Sequence, residues 1–386
     1  MAGLYLHIPF CSQRCVYCDF YFVTTRTSHA SFVQALCTEL DYYTSEYGSR
    51  EPIETIYFGG GTPSLLALDD VAQILQAIHD GYDTSAVREV TFEVNPEGVD
   101  VDYLRGLRHL GINRLSIGVQ SFYADDLAFM NRSHSADEAE AIVPLVREAG
   151  FDNFSVDLIF GLPEQPEEYW AANLQKAIRL DVPHLSTYSL TIEEKTPLAK
   201  QVQRGLVQPA GDEALEARYA FTMDYLRQHG YEHYEISSFA RPGYRAQHNS
   251  LYWHHANYLG FGPSAHSFWR HGLTGASAFR WSNVRNLKRY EALLAGRQAP
   301  LAARDRLDLD DLANEHILLT LRTSDGLNLT HLDRQYGADL LFEKEDELAW
   351  LEGEGYIEPV RSGHIRLTDR GRLVCDTVTE RLLLDV

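Results

Sequence analysis

Thiols are scarce in this chain, positive charge is in deficit, and long apolar runs are missing. Each shortage excludes something. Five cysteines in 386 residues are an odd number, and too few for a disulfide-stapled secreted scaffold. Against 55 acidic residues stand 34 basic ones, a net charge of −21. A phosphate backbone would be repelled on average and no block of positive charge offsets this, so no nucleic-acid partner is expected. No apolar run reaches the roughly 18 residues that a membrane span needs, so no transmembrane segment is expected. The opening "MAGLYLHIPF" lacks the basic start and full apolar stretch of a secretory signal. These absences lead to the expectation of a soluble, cytoplasmic protein. With 45% hydrophobic residues, the chain can bury the core of one large domain and a smaller one.

What is present is a repeat of strand and helix. Strand-like runs stand at 4–8, 53–60, 88–94, 113–119, 153–161 and 183–190. Helix-like stretches lie between them, including 29–43, 68–80, 136–150 and 166–180. Asp69 and Ser135 are helix-start signals, and Gly111 and Gly150 suit helix ends. Strand then helix, six times over, predicts an α/β fold with parallel strands and right-handed crossovers. Two forms compete, a barrel and an open doubly wound sheet. Residues 295–305 read as a linker, and residues 301–386 as a small winged-helix-like module of short helices and a two-stranded hairpin.

The unusual polar residues follow the strands. Cys11, Cys15 and Cys18 come after the first, and "GGGTPS", Gly59 to Ser64, after the second. Glu93 and Asn95 end the third, Ser116 and Gln120 mark the fourth, Asp157 lies in the fifth, and Tyr188 and Ser189 in the sixth. Ligands of parallel α/β folds bind at the carboxyl ends of strands, and one shared rim favours a partial (β/α)6 barrel. The spacing Cx3Cx2C places three thiolates on one loop. Structural zinc would want a fourth ligand, for which His7 is the nearby candidate within the strand. An iron–sulfur cluster held by three cysteines keeps one iron open to a small molecule. The glycines let a backbone approach a ligand closely, although taken alone they describe a plain turn. Cys37 and Cys375, in helical stretches, read as core residues.

Cx3Cx2C after a first strand and GGGTP after a second resemble the radical S-adenosylmethionine (SAM) superfamily. "YLHIPFC", "YFGGGTPS", "EVNPE", "RLSIGVQSF", "DLIFGLP" and "HNSLYW" extend the match along nearly the whole chain. Together they resemble the family of oxygen-independent coproporphyrinogen III oxidases (HemN) and related haem chaperones (HemW). The resemblance implies a radical SAM barrel over residues 1–300 and a HemN-type module over 301–386. It implies that Cys11, Cys15 and Cys18 ligate a [4Fe–4S] cluster whose open iron takes the amine and carboxylate of S-adenosyl-L-methionine. Tyr5 would stand near cluster and cofactor, and Gly60, Gly61 and Thr62 would contact the methionyl end. Glu93, Gln120, Arg132 and Asp157 would hold the rest. The chemistry agrees: sulfonium and amine want acids or carbonyls, a carboxylate wants arginine, and ribose hydroxyls want acceptors. The family's reaction is one-electron cleavage of the sulfonium to a 5′-deoxyadenosyl radical, which the cofactor carries and the protein positions.

One residue discriminates within that family. The oxidases carry a further cysteine in a Cx3Cx2CxC pattern and a long N-terminal extension. Here Phe20 stands in place of that thiol, and Cys11 lies almost at the start. Both departures favour the chaperone branch over the oxidase, with a radical SAM methyltransferase as a further alternative. Residues 248–271 hold His248, His254, His255, His266 and His271, interleaved with Tyr252, Trp253, Tyr258, Phe261, Phe268 and Trp269. A flat apolar macrocycle wants aromatic walls, and its iron wants an axial donor. The family's HNxxYW motif falls on His248, Asn249, Tyr252 and Trp253, which makes His248 the candidate haem ligand. The expected partner is a haem acceptor protein. The reading leaves room for an electron donor such as flavodoxin or ferredoxin, and for peripheral membrane contact.

Overall fold

The computed structural model describes residues 2–24, 29–270, 277–360 and 363–384; His271 lies outside them. Six strands follow the expected positions: β1 (Ala2–Ile8), β2 (Ile53–Gly60), β3 (Glu89–Val94), β4 (Arg114–Gln120), β5 (Phe154–Phe160) and β6 (His184–Ser189). They lie side by side in chain order and all pair in parallel. A doubly wound sheet would reverse direction at a switch point. Consecutive order with right-handed crossovers places every helix on one face, so the barrel form holds.

Side chains alternate across the pleat. Leu4, Leu6, Ile56, Phe58, Phe92, Leu115, Ile117, Val156 and Leu185 are buried in one hydrophobic core with helix residues such as Phe32, Leu36, Ile74 and Leu107. The intervening positions carry Tyr5, Tyr57, Glu93, Ser116, Asp157 and Ser186. They face the hollow of the sheet. A helix, Gln247–Trp253, packs against β1, β2 and β3 and fills part of that hollow like a floor.

The sheet is wider than six strands. β7 (Glu232–Glu235) and β8 (Ser238–Ala240) extend it beyond β6, and β9 (Asn257–Phe261) pairs in parallel with β1. β10 (His266–Arg270), β11 (Ala278–Asn283) and β12 (Leu301–Leu307) continue it antiparallel. Among the described residues β12 and β7 remain edges, so the barrel is partial. The segment expected as a linker, 295–305, therefore ends inside a strand. β12 is exposed at Ala302 to Arg306; an edge strand wetted on both faces shows no apolar alternation to read.

Residues 309–382 build a second hydrophobic core around Leu312, Ile317, Leu332, Leu351 and Val378. Its short strands, Leu327–Asn328 and His364–Ile365, pair with each other across the module. Cys375 is buried in this core, whereas Cys37 is half-buried on the first helix. Of the expected helix signals, Ser135 closes a full capping box with Glu138. Asp69 stands inside the first turn, with Ala67 at the cap position.

Candidate functional site

The cysteine loop leaves β1 and is clamped from two sides. On one side the glycine loop is bonded to it: Gly61 N–H donates to the Ile8 carbonyl (2.8 Å) and Thr62 N–H to the Phe10 carbonyl (2.6 Å). A Cβ on Gly61 would lie 2.5 Å from the Phe10 carbonyl oxygen, so only glycine allows this approach. The buried Thr62 hydroxyl faces the Cys11 Sγ at 3.8 Å. On the other side lies the loop before Ser135. Val16 N–H donates to the Met130 carbonyl (3.2 Å), Gln13 Nε2 to the Asn131 carbonyl (2.9 Å), and Asn131 Nδ2 to the Arg14 carbonyl (2.7 Å). That docking carries Arg132 to the cysteines. Its guanidinium contacts the Cys15 Sγ (3.5 Å), the Asn95 side-chain oxygen (2.7 Å) and the Gly118 carbonyl (2.9 Å).

Burial pushes the Cys11 and Cys18 thiols up, to about 12 and about 11. Such thiols bind as thiolates only when cationic metal compensates the charge. Among the described residues no three His, Cys, Asp or Glu side chains converge on one metal ion. His7, the fourth ligand a zinc site would need, is committed elsewhere: Nε2 bonds the Tyr21 carbonyl (2.8 Å) and Nδ1 the Tyr5 hydroxyl (3.1 Å).

Inward from the thiols, Glu93 accepts from the Tyr57 hydroxyl (2.8 Å) and from Gly60 N–H (3.1 Å). Burial raises its pKa to about 7, and the neighbouring Asp157 adds to the rise. Asp157 accepts from the Ser116 hydroxyl (3.3 Å) and is likewise raised by burial. Gln120 ends β4 in the left-handed region (φ 65°), beside a register shift against β5. A bulge and a strained residue at a strand end re-aim a side chain over the mouth. Gly60, Gly61, Thr62, Glu93, Asn95 and Arg132 thus form one bonded network with the cysteine loop, and Asp157 sits deeper on the same face. Asn95, which also donates to the Thr62 hydroxyl (3.2 Å), is the link that strand-end reading noted without a role. Glu97 escaped that reading; it accepts from Ser133 (2.5 Å) and pairs with His134 (3.3 Å), bracing the Arg132 loop.

Buried polar atoms are rarely left unpaired. Here Arg132 Nε, Asp157 Oδ1 and Thr91 Oγ1 are buried without a hydrogen bond, as is Arg114 Nε, which has only a long ion pair to Glu89 (3.9 Å). One unbonded guanidinium nitrogen to take a carboxylate and one unbonded carboxylate oxygen to take a hydroxyl fit the methionyl and ribose groups of S-adenosyl-L-methionine.

His248 lies elsewhere. It is on the floor helix, 1% exposed, with Nδ1 bonded to the Thr55 hydroxyl (2.7 Å) and Nε2 to the Tyr252 hydroxyl (2.8 Å). Its backbone N–H donates to Glu89 (2.8 Å). Burial, with Arg114 nearby, lowers its pKa to about 3, so the ring is neutral. In this arrangement neither ring nitrogen is free for iron.

Residues 5–177 match the model of the Radical SAM superfamily and residues 307–374 that of the HemN C-terminal domain. The Mycobacterium tuberculosis "Heme chaperone HemW" is 34% identical over 99% of this chain and 94% of its own length. The chain belongs to the HemW family of radical SAM proteins. The Escherichia coli HemW is 39% identical over 68% of this chain and 69% of its own. In fold, this HemW-family chain matches the solved coproporphyrinogen III oxidase HemN of Escherichia coli with a TM-score of 0.83. That match has 24% identity and covers 99% of this chain and 90% of the other. Family membership carries with it a [4Fe–4S] cluster and S-adenosyl-L-methionine.

Proposed function

We propose that this protein is a haem chaperone: it binds haem at a radical SAM barrel and passes it to an acceptor protein. The observation that carries this reading is the combination of the bonded strand-end residues around the cysteine loop with Phe20 after the cysteine triad. HemW relatives matching the whole length support it. Phe20 is 72% exposed beside the cluster loop. An exposed aromatic there offers a flat apolar contact, where the oxidase pattern would place a thiol.

Cys11, Cys15 and Cys18 hold the cluster. Gly60 and Thr62 line the methionyl end, Arg132 receives its carboxylate, and Glu93 and Asp157 accept from amine and hydroxyls. Cluster and SAM, when bound, supply one-electron chemistry at the sulfonium. A flavodoxin or ferredoxin fits the need for an electron donor. Glu93 accepts two hydrogen bonds and so stays aimed, and the clamped loops keep the thiols in place without ligand.

The test is anaerobic reconstitution with iron and sulfide, then titration with SAM and ferric haemin. About four irons per chain, a cluster signal that SAM perturbs, and stoichiometric haemin uptake are expected. Coproporphyrinogen III should not be decarboxylated. Turnover to protoporphyrinogen would restore the oxidase; a methylated aromatic product without haem uptake would select the methyltransferase.

A further inference from the structure

The histidine-rich segment poses a question that the HNxxYW motif does not answer: which imidazole can reach iron? Four of its five histidines are described. His248 is internal and doubly bonded. His255 is buried, with Nε2 on Glu315 (3.1 Å) and Nδ1 on Arg270 (3.2 Å). His254 is exposed, but at the end of the floor helix, facing Asp325 of the C-terminal module (3.9 Å). His266 is different.

Strand register places it. Tyr57 pairs with Tyr5, and Tyr5 with Gly260. The pairing of Phe268 with Tyr258 sets His266 opposite Gly260, and His266 pairs with Ser282. Tyr57, Tyr5 and Gly260 therefore form one row across three adjacent strands, and the start of β10 brings His266 beside it. Tyr5 and Tyr57 are stacked with centroids 6.0 Å apart, on the face that holds Glu93. The His266 backbone itself lies over Gly260: a Cβ there would meet its carbonyl oxygen at 2.0 Å, so only glycine fits beneath it. His266 is exposed, with no hydrogen-bond partner for its ring among the described residues. Partial burial and the cations Arg280 and Arg285 hold its pKa below the ordinary imidazole value, which keeps a lone pair available. Arg285 is exposed, and among the described residues its one hydrogen bond is a long contact to Ser264 (3.4 Å).

These are two groups that haem requires: a neutral imidazole for its iron and a loosely held guanidinium for a propionate. We propose that His266 at the barrel mouth is the axial ligand of haem iron, with Arg285 receiving a propionate, and that His248 is a strut of the barrel floor. This assignment rests on the haem-binding reading above. It differs from the HNxxYW expectation, and the two are separable.

The experiment is titration of the reconstituted full chain with ferric haemin, followed by absorbance and electron paramagnetic resonance (EPR). Wild type should bind one haemin with an imidazole-ligated spectrum; failure of wild type to bind overturns the haem reading and this assignment with it. His266→Ala should weaken binding by about tenfold or more and shift the Soret band, with free imidazole restoring the band position. Arg285→Ala should weaken binding about threefold to tenfold without moving the band. The variant His266→Cys guards against misfolding as an explanation, since a folded protein with thiolate ligation changes the spectrum in a distinct way. If His266→Ala and His266→Cys keep the wild-type affinity and spectrum while His248→Gln alters them, the assignment is overturned in favour of the motif histidine.

Discussion

Single side chains decide how the rim meets its cofactor. Glu93 is a carboxyl held near pH 7 by burial and by Asp157. Its folded pKa lies above the ordinary carboxylate range, so its charging opposes folding. That contribution favours the fold below about pH 4.5 and fades as pH rises through about 7. A cationic ligand reverses the preference. SAM affinity should therefore rise between about pH 6 and 8, and Glu93→Gln should flatten that slope and weaken binding about tenfold to a hundredfold. Equilibrium dialysis across pH measures both. Arg132→Lys should lose most of the SAM effect on the cluster signal, because an ammonium cannot bond Asn95, Gly118 and a carboxylate in one plane. Most of these residues were legible beforehand as polar positions at strand ends. Asn95 and Glu97 lacked a role there because their partners, Arg132 and His134, lie more than 30 residues away.

At the scale of elements, two loops and one helix matter. The glycine loop is a backbone clamp on the cysteine loop, with Gly61 against Phe10 and Gly60 (φ 112°) against the His7 ring. Gly61→Ala should destabilise the fold by about 2 kcal/mol or more and lower iron loading after reconstitution, read by denaturant midpoint and iron assay. The floor helix was read from sequence as a haem segment. Its histidine and aromatics drew that reading, but their partners, Thr55, Tyr57 and Glu89, come from β2 and β3. His248→Ala removes two buried hydrogen bonds and leaves Thr55 and Tyr252 unpaired. About 2–4 kcal/mol of stability should be lost, with a fall in the urea midpoint. β10, β11 and β12 carried no clear strand pattern, because one face receives the C-terminal module and the outer edge is wet.

Over the whole molecule, several polar contacts join the barrel to the C-terminal module, and one of them is built on a half-buried charge. Glu315 of the module accepts two bonds from Arg280 of β11 (2.5 and 2.8 Å) and pairs with His255 at the end of the floor helix. Burial alone would raise Glu315, but His255 and Arg280 outweigh it and hold the carboxyl below its usual range. Glu315→Gln should loosen the joint and speed limited proteolysis near residue 308, with cluster loading unaffected. Acidification through the carboxylate range should act in the same direction, since protonating Glu315 removes the charge that binds Arg280. Among the described residues, no helix is long and apolar enough to cross a membrane.

Sequence alone determined the six βα units, the thiol loop and the glycine loop, because strand periodicity and short motifs are local properties. It also placed the polar residues at strand ends, since every second position of a strand shares a face. Tertiary structure decided which of those residues touch, how far the sheet extends beyond β6, and which histidines are free. Hydrogen-bond saturation depends on partners distant in the chain: His248 lost its availability to Thr55, 193 residues away, whereas the exposed His266 ring meets no such partner among the described residues.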